Sequence, residues 1–256
     1  MNKQIKNYYQ QNQKIQNHYR QLAHDYDDLW TYTPNFVKFI AQNIIAQLNL
    51  QFTDKLADLG CGTGIFAKEI ANQIKLKYPI VCVDSSPEML EQIPSNDTYK
   101  PLVMDAIDFS SQGYIFDKIF IKEMIHHISN KQKLITNLFN RLNAGGIFLL
   151  ILLPPTIEYP LFESAKKSYE KLQPHYRELE DIFDRVGFKT EVSFVKYPLS
   201  LNKDKYLRMV KNRYMSLLSM FSDEEISQGI QEKKEKYSEQ LTLDFNDVFV
   251  YIKGQK

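Results

Sequence analysis

The chain has 256 residues, 43% of them hydrophobic, with 32 basic against 31 acidic side chains and a net charge of +1. That is enough apolar material for one large domain with a complete core. The even charge balance offers none of the basic excess that nucleic acid selects, and the longest apolar run, Ile147 to Leu153, is too short to span a bilayer.

Residues 1–30 are polar with interleaved aromatics, Tyr8, Tyr9, Tyr19, Tyr26 and Trp30. The start, Met1 to Gln13, has no secretory pattern, and a cytoplasmic location is expected. Ile15, Tyr19, Leu22 and Tyr26 recur at spacings of three and four, which predicts an amphipathic helix over about 11–23. Its apolar face either packs as an ordinary helix or closes over a site. Thr33-Pro34 then reads as N-cap and first position of a helix that turns Phe36, Phe39, Ile40, Ile44, Ile45 and Leu48 inward.

From residue 55 the pattern alternates strand and helix, the signature of an α/β sheet. Strands are expected at 55–59, 79–83, 100–104, 116–121 and 147–153, and helices at 64–75, 86–92 and 130–142. Leu142 to Gly146 reads as a turn, and residues 156–174 as irregular and aromatic. A helix over 175–186 is closed by Gly187, and a strand follows near 188–197. Residues 199–240 do not read as strand: Tyr206, Met209, Val210, Tyr214, Leu217, Leu218 and Phe221 give a helical stripe, and Ser222-Asp223-Glu224-Glu225 starts another helix. The chain ends in a strand, Asp247 to Ile252. Cys61 and Cys82 fall in core elements and read as reduced thiols.

The chemistry centres on Leu56 to Gly64, Leu-Ala-Asp-Leu-Gly-Cys-Gly-Thr-Gly, where a buried strand runs into a tight turn and a helix. Glycine lets backbone approach a ligand, and the helix start offers unpaired N–H groups. Asp84 lies at the next strand end, 20 positions after Gly64, where a carboxylate accepts from both hydroxyls of a ribose. Asp105 lies at the third strand end, 21 positions further on, beside the N–H groups of Ala106 and Ile107, and suits the edge of adenine. Ligands of open α/β sheets bind outside the carboxyl ends of the strands, so all three markers reach one adenosine. The loop is G-x-G-x-G with Ile65 where a dinucleotide fingerprint has its third glycine, which disfavours NAD and FAD. No Gly-Lys-Ser/Thr follows, so it is not a P-loop.

Asp58 to Gly64, Val83-Asp84-Ser-Ser-Pro-Glu-Met89, Met104-Asp105-Ala106 and Leu142-Asn-Ala-Gly-Gly146 resemble, in order, the motifs of class I S-adenosylmethionine-dependent methyltransferases. The resemblance spans roughly residues 15–200 and implies a Rossmann-like, seven-stranded mixed sheet with helices on both faces and an antiparallel final strand. It also implies a helical lid. The expected domains are an N-terminal lid segment, 1–30, a cofactor-binding core, 31–198 plus 241–256, and a helical insertion, 199–240. The implied cofactor is S-adenosyl-L-methionine, with S-adenosyl-L-homocysteine as product. By this resemblance Gly60, Gly62 and Gly64, with Asp58 behind them, hold the methionine part, and Asp84 holds the ribose. Ser85 and Met89 flank the adenine, and Asp105 with Ala106 reads its edge. Cys61 and Lys122 join the cofactor set, and Tyr19, Tyr26 or Arg20 lies over the cofactor carboxylate. Asn143 departs from a frequent proline at a turn position.

The fourth strand ends Ile121-Lys-Glu-Met-Ile-His-His-Ile128. It lacks the Asn/Asp-Pro-Pro-Tyr/Phe that the resemblance would require for nucleic-acid amino-methylation, and the chain lacks the cysteines expected for arsenic methylation. The expected acceptor is a small molecule methylated on N or O, with no nucleic acid, membrane or metal partner and a monomer or homodimer. The alternatives are a protein or peptide methyltransferase and a silent cofactor-binding partner protein. Candidate catalytic residues are His127, His126, Glu123 and Tyr19. His127 matches a catalytic His of phosphoethanolamine methyltransferases that pairs with an N-terminal Tyr. A near-neutral His can take a proton from an attacking amine or hydroxyl, although either His equally serves a structural role. Tyr9, Tyr159, Tyr206 and Tyr214 are candidates for an acceptor pocket, and aromatic faces suit a cationic amine.

Overall fold

A computed structural model describes residues 33–256. Its compact units are two in number, and each is a separate body of contacts. Of the described chain, the larger comprises residues 33–155, 173–196 and 248–256, and the smaller holds 156–172 and 197–247.

Helix α1 (Pro34–Leu48) begins as its sequence dictates: Thr33 caps it by accepting from the Phe36 N–H at 3.2 Å, with proline at the first position. Phe36, Val37, Ile40, Ala41, Ile44 and Leu48 are buried, while Phe39 and Ile45 are only half-buried. The expected strands and helices then follow with small shifts of boundary. They are β1 (Leu56–Leu59), α2 (Ile65–Gln73), β2 (Ile80–Asp84), α3 (Pro87–Leu90), β3 (Tyr99–Val103), α4 (Ala106–Ser111), β4 (Phe116–Lys122), α5 (Lys131–Asn140) and β5 (Leu142–Leu152). After them come α6 (Glu163–Leu172), α7 (Tyr176–Val186), β6 (Lys189–Asn202), α8 (Lys203–Lys211), α9 (Asp223–Lys236) and β7 (Thr242–Gln255).

The strands form one seven-stranded sheet in the order β3-β2-β1-β4-β5-β7-β6. The pairings β1–β2, β1–β4, β2–β3 and β4–β5 are parallel, and β7 runs antiparallel to β5. This is the mixed Rossmann-like sheet that the motif order implies. The strand order reverses between β1 and β4, so a crevice opens at their carboxyl ends.

Side-chain alternation sorts the two faces. Ala57, Leu59, Ile119, Ile121, Phe148, Leu150, Leu152, Val250 and Ile252 pack in one core with Phe109 of α4, Leu134, Ile135 and Leu138 of α5, and Leu179 and Phe183 of α7. The opposite face carries Asp58, Phe120, Lys122 and Leu149, and α1 packs there through the Phe36–Phe249 ring contact at 6.2 Å.

Five expectations are corrected. Residues 142–146 belong to β5, as an irregularity between the Phe116–Leu142 and Lys118–Ile147 pairs with Gly145 at φ 75, because sheet pairing resumes across the glycines. Residues 163–172, expected to be irregular, form α6, with Ala165 and Tyr169 buried four residues apart. Residues 199–202 continue β6 through the alternation of buried Leu199 and Leu201 with exposed Ser200, and β7 starts at Thr242 rather than Asp247. Helix α4 was not expected; Asp105 nucleates it as its N-cap.

The smaller unit is mainly helical. Ser222 and Glu225 close a full capping box on α9, as their spacing predicts. Phe162 meets Phe221 nearly edge-on at 5.2 Å, and Gly229 of α9 leaves the room that the Phe162 ring occupies. Tyr206 stacks edge-on to Tyr214 and lies 6.0 Å from Phe245, which itself lies 5.1 Å from Tyr159. Among the described residues no helix is long and apolar enough to cross a membrane.

Candidate active site

The glycine loop leaves β1 with Gly60, Gly62 and Gly64 at φ 72, 55 and 73. These are left-handed conformations that other residues adopt only under strain. The loop is pinned to β2 by Gly60 and Cys61, whose N–H groups both donate to the Val83 carbonyl, at 2.7 and 3.1 Å. Gly64 is the N-cap of α2. A Cβ on Gly60 would strike Met124 Cγ at 2.5 Å and one on Gly64 would strike Ile93 Cγ1 at 2.8 Å, whereas one on Gly62 would meet nothing within 4 Å. Gly60 and Gly64 are therefore held by packing, and Gly62 faces open space.

Asp84 ends β2 and ties the loop to the next element. Its Oδ2 accepts from the Gly62 N–H at 2.9 Å and its Oδ1 from the Ser86 N–H at 2.9 Å. Burial pushes its carboxyl up, and the backbone donors of Ser86, Gly62 and Ser85 oppose that shift. Ser85 is exposed, and Met89 is buried in α3, its N–H donating to the Ser86 hydroxyl at 3.3 Å. The main chains of β2 and β3 join where the Met104 N–H donates to the Asp84 carbonyl at 2.9 Å. Exposed Asp105 caps α4 through Oδ1, which accepts from Ile107 N–H at 2.7 Å, and Ala106 is buried beside it.

Asp58 is 3% exposed. Burial pushes its carboxyl well up, the like charge of Asp84 adds to that, and Lys122 opposes both. Burial also raises the Cys61 thiol, helped by the neighbouring Cys82 thiol and by the two carboxylates. Both cysteines are free and buried, as expected of reduced thiols. The Lys122 ammonium sits over two rings, 4.8 Å from the centre of Phe66 and 4.7 Å from that of Phe249.

Beyond Lys122 the chain turns sharply. Glu123 sits at φ 55, its N–H donates to the Ile151 carbonyl at 2.9 Å, and its Oε1 accepts from the Leu153 N–H at 2.6 Å. The Leu153 carbonyl accepts from the buried Gln173 side chain at 2.7 Å. The Gln173 contact and the strain at Glu123 were not visible in the sequence, since neither residue stands in a motif. A left-handed glutamate is uncommon, and strain of this kind collects at functional sites. His126 and His127 occupy a 3-10 turn, Ile125–His127, with ring centres 4.0 Å apart. Burial, together with His127 and Lys131, pushes His126 well down, so its imidazole is neutral at pH 7, and its buried Nδ1 has no partner among the described residues. Among the described residues no three His, Cys, Asp or Glu side chains are grouped as a metal would need.

The structure thus brings Asp58, the three glycines, Cys61, Asp84 and Lys122 to adjoining strand ends, with Asp105 and Ala106 one strand further out. Tyr159, Tyr206 and Tyr214 lie in the smaller unit, where burial raises the hydroxyls of Tyr206 and Tyr214, 3.1 Å apart. Tyr9, Tyr19, Arg20 and Tyr26 lie outside the described residues.

Residues 56–146 match the family described as "Methyltransferase domain". The chain is similar to the uncharacterized methyltransferase C70.08c of Schizosaccharomyces pombe, 30% identical over 117 residues, covering 42% of this chain and 43% of that protein. It is similar to the ubiquinone/menaquinone biosynthesis C-methyltransferase UbiE of Wigglesworthia glossinidia brevipalpis, 27% identical over 169 residues, 62% of this chain and 65% of that one. It thus spans less than two thirds of either relative. Its fold is that of phosphoethanolamine N-methyltransferase 2 of Haemonchus contortus, solved with S-adenosylhomocysteine, at a TM-score of 0.55 and 20% identity over 91% of this chain and 60% of that one. Residues 56–146 thus carry a methyltransferase domain, and with its strand order, loop and carboxylates the chain is similar to S-adenosylmethionine-dependent methyltransferases.

Proposed function

We propose that this protein is an S-adenosylmethionine-dependent methyltransferase that transfers a methyl group to an N or O atom of a small metabolite. One observation carries the reading: Asp84 is tied to the Gly62 N–H at the edge of an open glycine loop, at the point where the strand order reverses. The residues present fit the cofactor, because open space at Gly62 admits its methionine part and the half-buried Asp84 carboxylate suits a ribose diol. When bound, the cofactor supplies a methyl group on a sulfonium that is already a good leaving group.

The demand on the chain is therefore mainly positioning and exclusion of water. Gly60, Cys61, Gly62, Gly64 and Asp58 take the methionine part, with Lys122 in the same set. Asp84 takes the ribose, Ser85 and Met89 flank the adenine, and Asp105 with Ala106 reads its edge. His127 is assigned the proton of the attacking acceptor, with His126 and Glu123 beside it in sequence, and Tyr19 and Tyr26 complete the set from the N-terminal segment. Residues 1–30 and 199–240 are assigned to a lid that selects the acceptor. The aromatic set of Tyr159, Tyr206 and Phe245 favours this for 199–240, since aromatic faces suit an amine. The protein works in the cytoplasm as a monomer or homodimer, without nucleic acid or membrane as partner.

The test uses S-adenosylmethionine labelled in its methyl group, incubated with the protein and a size-fractionated lysate of the source organism. Label in the small-molecule fraction is expected. Label confined to macromolecules would overturn the small-metabolite reading in favour of a protein or peptide acceptor.

A further inference from the structure

We infer that Met124 is a positioning residue that joins the two halves of the site: its side chain seats the first glycine of the loop, and its carbonyl starts the turn that carries His126 and His127. The inference rests on the cofactor reading above and adds a residue that no motif marks.

The glycine loop is gripped at its ends and open in its middle. The three atoms nearest to a Cβ built on Gly60 all belong to Met124, Cγ at 2.5 Å, Cβ at 2.7 Å and Cε at 3.5 Å. Those nearest to a Cβ on Gly64 all belong to buried Ile93, while Gly62 between them meets nothing within 4 Å. On its other side Gly60 donates its N–H to the Val83 carbonyl, so the start of the loop is fixed between β2 and the end of β4. An unbranched thioether chain suits such a gap, and close packing passes any displacement of one partner to the other.

The same residue begins the histidine turn. Met124 is the N-cap of the 3-10 turn Ile125–His127, and its carbonyl accepts from the His127 N–H at 2.9 Å. The main chain around it has little freedom. Glu123, just before, is held to β5 by its N–H and its Oε1, and Ile125, just after, is fully buried. Met124 therefore yields to the loop only by drawing the turn with it. The buried His126 Nδ1, without a partner, makes that ring a sensitive reporter of any such shift. Ile93 grips the far end of the loop from the segment after α3, in a different part of the chain from the histidine turn. It supplies the control: loosening the loop there leaves the link to the histidines intact.

The test combines calorimetric titration of S-adenosylhomocysteine with imidazole NMR of His126 and His127, on the wild type, Met124→Ala, Met124→Leu and Ile93→Ala. In the wild type the ligand should move the histidine signals. Met124→Ala should bind at least about fivefold more weakly, and the ligand should no longer move those signals. Met124→Leu, of similar volume, should recover most of both. Ile93→Ala should weaken binding and keep the histidine response. A double-mutant cycle isolates the contact: the loss caused by Gly60→Ala should be at least about threefold smaller in the Met124→Ala background, since the strain of a left-handed alanine is common to both. If Met124→Ala does not fold, Met124→Val carries the same comparisons. With a wild type that binds, unchanged affinity in Met124→Ala, histidine signals that ignore the ligand in the wild type or still follow it in Met124→Ala, or additive losses in the cycle would each overturn the inference. So would an Ile93→Ala variant that loses the histidine response equally, since general loosening would then suffice. A wild type that binds nothing would remove the cofactor reading and this inference with it.

Discussion

Asp84 and Asp105 each spend oxygen atoms on backbone N–H groups, those of Gly62 and Ser86 for the first and Ile107 for the second. Their positions at strand ends were legible from spacing alone, because β-strands followed by turns put short acidic side chains where backbone donors are unpaired. Their engagement with that backbone was not legible, since it depends on how the loop folds over β2. The histidine pair shows a similar limit. The resemblance singled out His127 over His126, and what the sequence did not show is that burial makes His126 neutral. The unfolded chain can protonate a histidine below about pH 6.5, and the folded chain resists doing so at His126. Its contribution to stability is therefore intact above that pH and is lost as pH falls through it, by about 1 kcal/mol for the first pH unit. His126→Leu should lessen the loss of stability between about pH 6.5 and about pH 5.5, measured by urea denaturation; an unchanged slope would contradict the buried neutral form.

At the scale of elements, the end of β4 is tied to the end of β5 through Glu123. Glu123 holds a left-handed φ so that its carboxylate can meet the Leu153 N–H, which links the ends of β4 and β5. Glu123→Ala keeps the strained backbone and loses that bond, and should cost about 1–3 kcal/mol. Glu123→Gly loses the bond but relieves the strain, and should be more stable than the alanine variant by about 1 kcal/mol. Equal stabilities in chemical denaturation would contradict the strain. Elements with a clean period or cap were legible: α1 from Thr33-Pro34, α9 from its capping box, α7 from Gly187, and the central strands from their apolar runs. Helix α4, α6 and the extensions of β6 and β7 were not. Their signals are short, and a Leu-x-Leu alternation such as Leu199 to Leu201 is hidden beside a strong helical stripe.

For the whole molecule, motif order implied the sheet, and the structure has its order, its parallel half and its antiparallel β7. Four strand ends then converge because a parallel sheet aligns the carboxyl ends of β1, β2, β3 and β4. The acceptor was not legible, because the smaller unit has no motif and its aromatic set packs by contacts between residues far apart in sequence, such as Tyr159 with Phe245. The central claim is that the glycine loop and Asp84 form the cofactor site. It is tested most directly by titrating S-adenosylhomocysteine calorimetrically into the wild type and Asp84→Ala. The account predicts saturable binding at one site per chain in the wild type and at least about tenfold weaker binding in the variant, a loss of ~1.4 kcal/mol or more. Equal affinity of the two proteins, or no binding by the wild type, would contradict it.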